Sequence, residues 1–173
     1  MRATHVALPT VAGGFALALL VSAGAGADTV LAADRSERSL PAHVDLTGAR
    51  YVNDSDGFSA RLTVRDLQLR TSTLGFTITF PKSGRIFHIS TTRTKAGKQT
   101  YVVERESADG KLVRTCSTFT TTWDDTQDRI DVHVPWSCLG VLPATTKVQG
   151  SLSAGKAHRA PDDLLRTVKV QYR

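Results

Sequence analysis

The chain has 173 residues, 40% of them hydrophobic and 6% aromatic, with a formal net charge of +6. That length suits one domain able to bury its own core beside a leader. The basic residues are scattered rather than gathered with stacking aromatics, which argues against a specific nucleic-acid partner.

Arg2 and His5 make a short basic start, and Val11 to Val21 is an uninterrupted run of small and apolar residues. Ala25-Gly26-Ala27 then supplies the small-x-small pattern of a cleaved export signal, so residues 1–27 read as a signal peptide. Ala33, in Leu31-Ala32-Ala33, is a second candidate for the cut. The apolar run is short of the roughly 20 residues a membrane span needs, and no comparable stretch follows it. No Cys stands near the cut for a lipid anchor. The expectation is a secreted, extracellular protein with no stable membrane span. Arg outnumbers Lys, Asn53 is the single Asn, and Ala, Val, Thr and Gly abound. That usage fits GC-rich codons and an actinobacterial source.

Residues 28–42 are polar, charged and without periodicity, and read as a flexible linker. Residues 43–173 read as a single domain dominated by period-two alternation and by Thr and Val. Val44 and Leu46 open a strand that runs to Tyr51, and Asn53-Asp54-Ser55-Asp56-Gly57 is dense turn chemistry. Phe58, Ala60, Leu62 and Val64 form the dry face of the strand that closes this hairpin. Leu74, Phe76, Ile78 and Phe80 alternate most cleanly of all, and Arg85 to Thr94 follows after Pro81-Lys82-Ser83-Gly84.

Gln99 to Glu106 and Lys111 to Thr122 flank Ser107-Ala108-Asp109-Gly110. A four-residue connection setting Glu106 opposite Lys111 is preferred to a register that opposes Arg105 and Arg114. Arg129 to Val134 alternates again, and Pro135 ends that strand by withdrawing a ladder donor. Lys147 to Ser153 and Leu165 to Tyr172 complete the set, with a loop from Ala154 to Asp163 in which Asp162 and Asp163 suit a helix cap. About eight or nine short strands with regular turns predict an all-β antiparallel sandwich, jelly-roll or immunoglobulin-like.

Cys116 lies within a predicted strand and Cys138 just after one. In an exported chain a single pair reads as a structural disulfide rather than as free thiols or half of a zinc site. It would close a loop of about 22 residues, worth roughly 3 kcal/mol in the chain-entropy picture.

These motifs carry a resemblance. The strand from Gly57 to Leu69, the Cys in a Thr-rich run, Trp123-Asp124, and Asp128-Arg129-Ile130-Asp131-Val132-His133-Val134-Pro135 leading into Trp136-Ser137-Cys138-Leu139-Gly140 resemble a group of small secreted actinobacterial proteins of unknown function. That group closes on Pro-x-Ser-Cys-Leu-Gly, with Arg the usual residue where this chain has Trp136. The likeness spans His43 to Val148. It implies a single β-sandwich and an extracellular location, and it transfers no activity.

Candidate chemistry is sparse. Asp54 and Asp56 alternate like the oxygen ligands of a calcium loop, but without the spacing or closing Glu of an EF-hand; an Asx-stabilised turn explains them equally. Asp124, Asp125 and Asp128 form a second acidic turn. Glu104 and Glu106 share one strand face, as a glycosidase carboxylate pair would. His88 and His133 lie on strands without metal-ligand spacing, and no nucleophile elbow or phosphate loop is present, so no cofactor is implied. Tyr101, Trp123 and Trp136 could offer faces to sugar rings, or simply pack.

The expectation is a monomeric, non-enzymatic binder of carbohydrate, cell-wall polysaccharide or another anionic surface. A protein-interaction or inhibitor module and a hydrolase with a dispersed active site are the alternatives.

Overall fold

The computed structural model describes residues 28–34, 39–107, 110–114, 116, 118–141, 144–155 and 162–172. The export signal read over residues 1–27 lies outside them, as does most of the loop expected between Ala154 and Asp163.

Twelve strands are found among the described residues: β1 (Asp28–Ala33), β2 (Leu46–Asn53), β3 (Gly57–Val64), β4 (Ser72–Phe80), β5 (Arg85–Arg93), β6 (Gln99–Ser107), β7 (Gly110–Arg114), β8 (Thr120–Asp124), β9 (Arg129–Pro135), β10 (Thr146–Ala154), β11 (Asp163–Leu164) and β12 (Val168–Val170). A 3-10 turn, Ala42–Val44, precedes β2, and a one-turn helix α1, Trp136–Leu139, follows β9. One sheet has five strands in the order β1-β2-β3-β9-β8. The other has seven, in the order β11-β10-β4-β5-β6-β7, with β12 also on β10. All the pairings are antiparallel.

Period-two alternation decides which side of each strand is dry. Phe58, Ala60, Leu62 and Val64 point inward from β3, and Ile130, Val132 and Val134 from β9. They meet Leu74, Phe76, Ile78 and Phe80 of β4 in one hydrophobic core. Phe76 makes the junction: it packs edge-on to Phe58 at 5.8 Å and to Tyr51 at 6.5 Å, both from the opposite sheet. The all-β sandwich expected from the sequence is the fold observed.

Several elements depart from the sequence reading. Residues 28–42 were expected as a linker, yet β1 pairs with β2 along its whole length, from Asp28↔Asn53 to Ala33↔Gly48. Val30 and Ala32 supply its dry face, which is too short a pattern to stand out beside charged neighbours. The run from Lys111 to Thr122 is not one strand. β7 belongs to the seven-stranded sheet and β8 to the five-stranded one, so Cys116 lies in the crossover between them. Alternation alone cannot tell one long strand from two that serve sheets about 10 Å apart. The last strand, expected from Leu165 to Tyr172, spans only Val168–Val170 (β12), and Asp163, which caps no helix, sits in β11 with its carboxylate buried.

The register Glu106↔Lys111 holds, and pairing continues to Ser107↔Gly110, so the connection is two residues rather than four. The closing motif also has a physical explanation. Pro135 ends β9, Trp136 to Leu139 make one helical turn, and Gly140 takes the left-handed conformation (φ 61°) that ends it. Cys138, on that turn, is bridged to Cys116 with Cα atoms 5.4 Å apart.

Candidate functional site

The inward residues of the five-stranded sheet dictate what its outer face carries. With Phe58, Ala60 and Leu62 inward, β3 presents Ser59 and Arg61; with Ile130 and Val132 inward, β9 presents Asp131 and His133. The register lines these up in rows across the strands. One row reads Val52, Ser59, His133, Thr120, and the next reads Arg50, Arg61, Asp131, Thr122. Together they line a groove of about 330 Å³ across β2, β3, β9 and β8.

Hydrogen bonds fix the middle of the groove. Ser59 Oγ and His133 Nδ1 lie 2.9 Å apart, their donor and acceptor roles set by the imidazole tautomer. Arg61 Nε donates to Asp131 at 2.6 Å, and Arg129 Nε forms an ion pair, without hydrogen-bond geometry, with the other oxygen of Asp131 at 2.8 Å. Arg129 also approaches Asp124 at 3.7 Å. Arg50 is exposed, stands opposite Arg61 on the neighbouring strand, and has no partner among the described residues. Among the described residues this face therefore carries three guanidinium groups, of which Arg61 and Arg129 share Asp131 and Asp124 while Arg50 pairs with neither.

The groove is thus a hydrogen-bonding surface with one cation in excess. Ser59 and His133 resemble a nucleophile and base, which a third group must orient. Asp131, two residues along the same strand, is instead held by Arg61 and Arg129.

The aromatic residues singled out from sequence do not form a platform. Trp136 is 4% exposed, packs edge-on to Phe80, and donates its indole N–H to the carbonyl of Asp54 at 2.8 Å. Trp123 points inward from β8 and lies under the Arg93 guanidinium, 4.7 Å from its ring centre. Tyr101 is 41% exposed but stands on β6, edge-on to Phe119 at 4.9 Å.

The acidic turns have structural work. Asp54 Oδ1 accepts the backbone N–H groups of Asp56 and Gly57 at 2.9 and 3.0 Å, which is an Asx turn. Asp124 Oδ1 does the same for Thr126 and Gln127. Asp125 pairs with buried Arg93 at 2.7 Å, and Asp128 accepts the N–H of Leu67 at 2.7 Å. Among the described residues no three His, Cys, Asp or Glu side chains stand together to hold a metal. Glu104 and Glu106 do share the outer face of the seven-stranded sheet, flanking His88: Glu104 is its cross-strand neighbour and Glu106 lies 3.4 Å from its Nε2.

Arg50, Ser59 and Arg61 escaped the sequence reading as site residues. Alternation marks them as wet, but Ser59 and His133 are 74 positions apart, and only the β3–β9 register joins them. No helix among the described residues is long and apolar enough to cross a membrane. No protein-family profile matches the chain, and no curated protein matches it.

Proposed function

We propose that this chain is a secreted, non-enzymatic β-sandwich that binds carbohydrate or other cell-envelope material through the outer face of its five-stranded sheet. The groove across four strands carries this reading, because hydroxyl, imidazole, guanidinium and carboxylate groups all face the solvent there. Such a mixture of donors and acceptors suits a hydroxyl-rich ligand, and rigid strands hold it in place. The leader-like residues 1–27 and the Cys116–Cys138 bridge support an extracellular location. The resemblance to small secreted actinobacterial sandwiches points the same way.

A pulldown on insoluble cell-wall glycan and purified peptidoglycan tests it. The expected result is retention that the double variant Ser59→Ala, Thr122→Ala weakens. Release of the wild-type protein from every glycan matrix would remove the reading.

One observation favours a second reading, a hydrolase: the 2.9 Å approach of Ser59 to His133. A fluorophosphonate probe decides it. Covalent labelling of Ser59, abolished by His133→Ala, would establish a nucleophile; no labelling leaves the binding reading in place.

A further inference from the structure

We infer that the ligand of this groove is an anionic polysaccharide, whose carboxylate, sulfate or phosphate groups are taken by Arg50. The inference rests on the glycan-binding reading above and narrows it. Like charges directly opposite on neighbouring strands repel, and Arg50 faces Arg61. Arg61 is neutralised by Asp131, but Asp131 is shared with Arg129, so among the described residues no carboxylate is left over for Arg50. Its planar fork is free to bind a carboxylate or phosphate group through two parallel hydrogen bonds.

The rest of the lining says what carries that anion. Among the described residues no aromatic side chain lines the groove, so a neutral sugar finds no ring there to stack on and its grip comes from polar contacts. Ser59, His133, Thr120 and Thr122 supply hydrogen bonds along the two rows. Val52, beside Arg50, offers a small apolar surface for sugar C–H groups. Four strands span ~14 Å at the spacing of a sheet, room for several units of a polymer. The net positive charge, which stays positive once Arg2 leaves with the leader, draws such a chain toward the protein before any contact forms.

The test measures binding of polygalacturonate, heparin, a phosphodiester-linked wall polymer and neutral dextran to the wild-type protein, Arg50→Gln, Arg50→Lys and Lys98→Gln. Lys98 is an exposed cation on the β5–β6 turn, so its variant makes the same charge change away from the groove. Thermal melts establish that all variants fold. At least one anionic polymer is expected to bind, about fivefold to tenfold more weakly to Arg50→Gln, with Lys98→Gln nearly unchanged and Arg50→Lys between them. Dextran is expected to bind much more weakly.

Equal affinity for dextran, unaffected at Arg50, would overturn the anionic ligand and leave the glycan reading standing. Equal losses in Arg50→Gln and Lys98→Gln would mean diffuse attraction to net charge and overturn it too. Binding of anionic phospholipid vesicles or DNA as tightly as the polysaccharides, with the same Arg50 dependence, would overturn the sugar part. Failure of every polymer would bring down both readings together.

Discussion

Tyr51 and Gly150 meet across the sandwich: a Cβ built on Gly150 would stand 2.7 Å from the Tyr51 hydroxyl oxygen. Tyr51 belongs to β2 and Gly150 to β10, so the missing side chain in one sheet makes room for a ring from the other. Burial pushes the Tyr51 phenol far above its ordinary pKa, and the ring stays neutral throughout the working range. Among the described residues its hydroxyl has no hydrogen-bond partner that meets ordinary geometry, so it gives little back for being there.

Gly150→Ala is therefore expected to cost about 2 kcal/mol from overpacking. Tyr51→Phe should change stability by less than about 1 kcal/mol, since it removes an unsatisfied hydroxyl and keeps the ring. The double variant should recover about 1 kcal/mol of the glycine penalty, because the two changes share one contact. Urea denaturation of the four proteins measures this cycle. Strict additivity would show that the hydroxyl is not what Gly150 accommodates.

The bridge between Cys116 and Cys138 pins the sheet-to-sheet crossover to the turn after β9, at a sequence separation of 22. In the chain-entropy picture, closing that loop contributes about 3 kcal/mol. The double variant Cys116→Ser, Cys138→Ser should lose about that much stability. Neither cysteine lines the groove, so glycan retention should survive in protein that is still folded. Calorimetry and the pulldown check the two halves separately; loss of retention without loss of stability would place the bridge in the site.

The legible parts of this fold are those where one strand decides its own faces. Leu74 to Phe80 and Ile130 to Val134 announced both their extended form and their dry side. The charges at Glu106 and Lys111 announced a register. What stayed hidden depends on partners distant in sequence. The inward residues of β1 gain meaning only beside β2, and the break at Cys116 only once two sheets exist. The site is a matter of rows: Arg50, Arg61 and Asp131 come from three strands and line up through registers that no single strand specifies. The aromatic platform failed for a related reason, since a Trp in a turn reveals nothing of which face stays open. Trp136 spends its indole N–H on Asp54 and its ring on Phe80.

Asp163 gives the fold a pH dependence with a definite sign. Its carboxylate is 6% exposed and accepts backbone N–H groups from Leu46 and Leu164. Burial outweighs those bonds and raises its pKa above the ordinary 3.8, with Asp34 and Asp45 adding to the rise. A raised acid binds its proton more readily in the folded state. The stability it contributes is fully present below 3.8 and is lost as pH rises through the folded value.

His43 acts in the opposite sense. Burial, helped by Arg70, lowers its pKa below 6.5, so its contribution is present above 6.5 and is lost as pH falls through the folded value. Urea unfolding from pH 4 to 8 should show the weakly acidic limb flatten in Asp163→Asn and the near-neutral limb flatten in His43→Gln. Asn keeps one acceptor oxygen where the carboxylate has two, so the first variant also carries a constant offset; the slope is the readout. Unchanged slopes would mean that other groups set the profile.

Strand β1 separates the two candidate cleavage sites. A cut after Ala27 would leave Asp28–Ala33 in the mature chain, whereas a cut after Ala33 would remove it. Ala32 is 1% exposed and Val30 packs against the core, so losing the strand uncovers apolar surface as well as the edge of β2. A bare edge is a template for pairing with another chain. Deleting residues 28–33 is therefore expected to cost about 2 kcal/mol or more and to promote association. Urea unfolding and light scattering measure both effects, and mass spectrometry of exported protein should find Asp28 at the N-terminus. A deletion variant as stable and monodisperse as the full strand would make β1 dispensable, and an N-terminus at Asp34 would then be the native one.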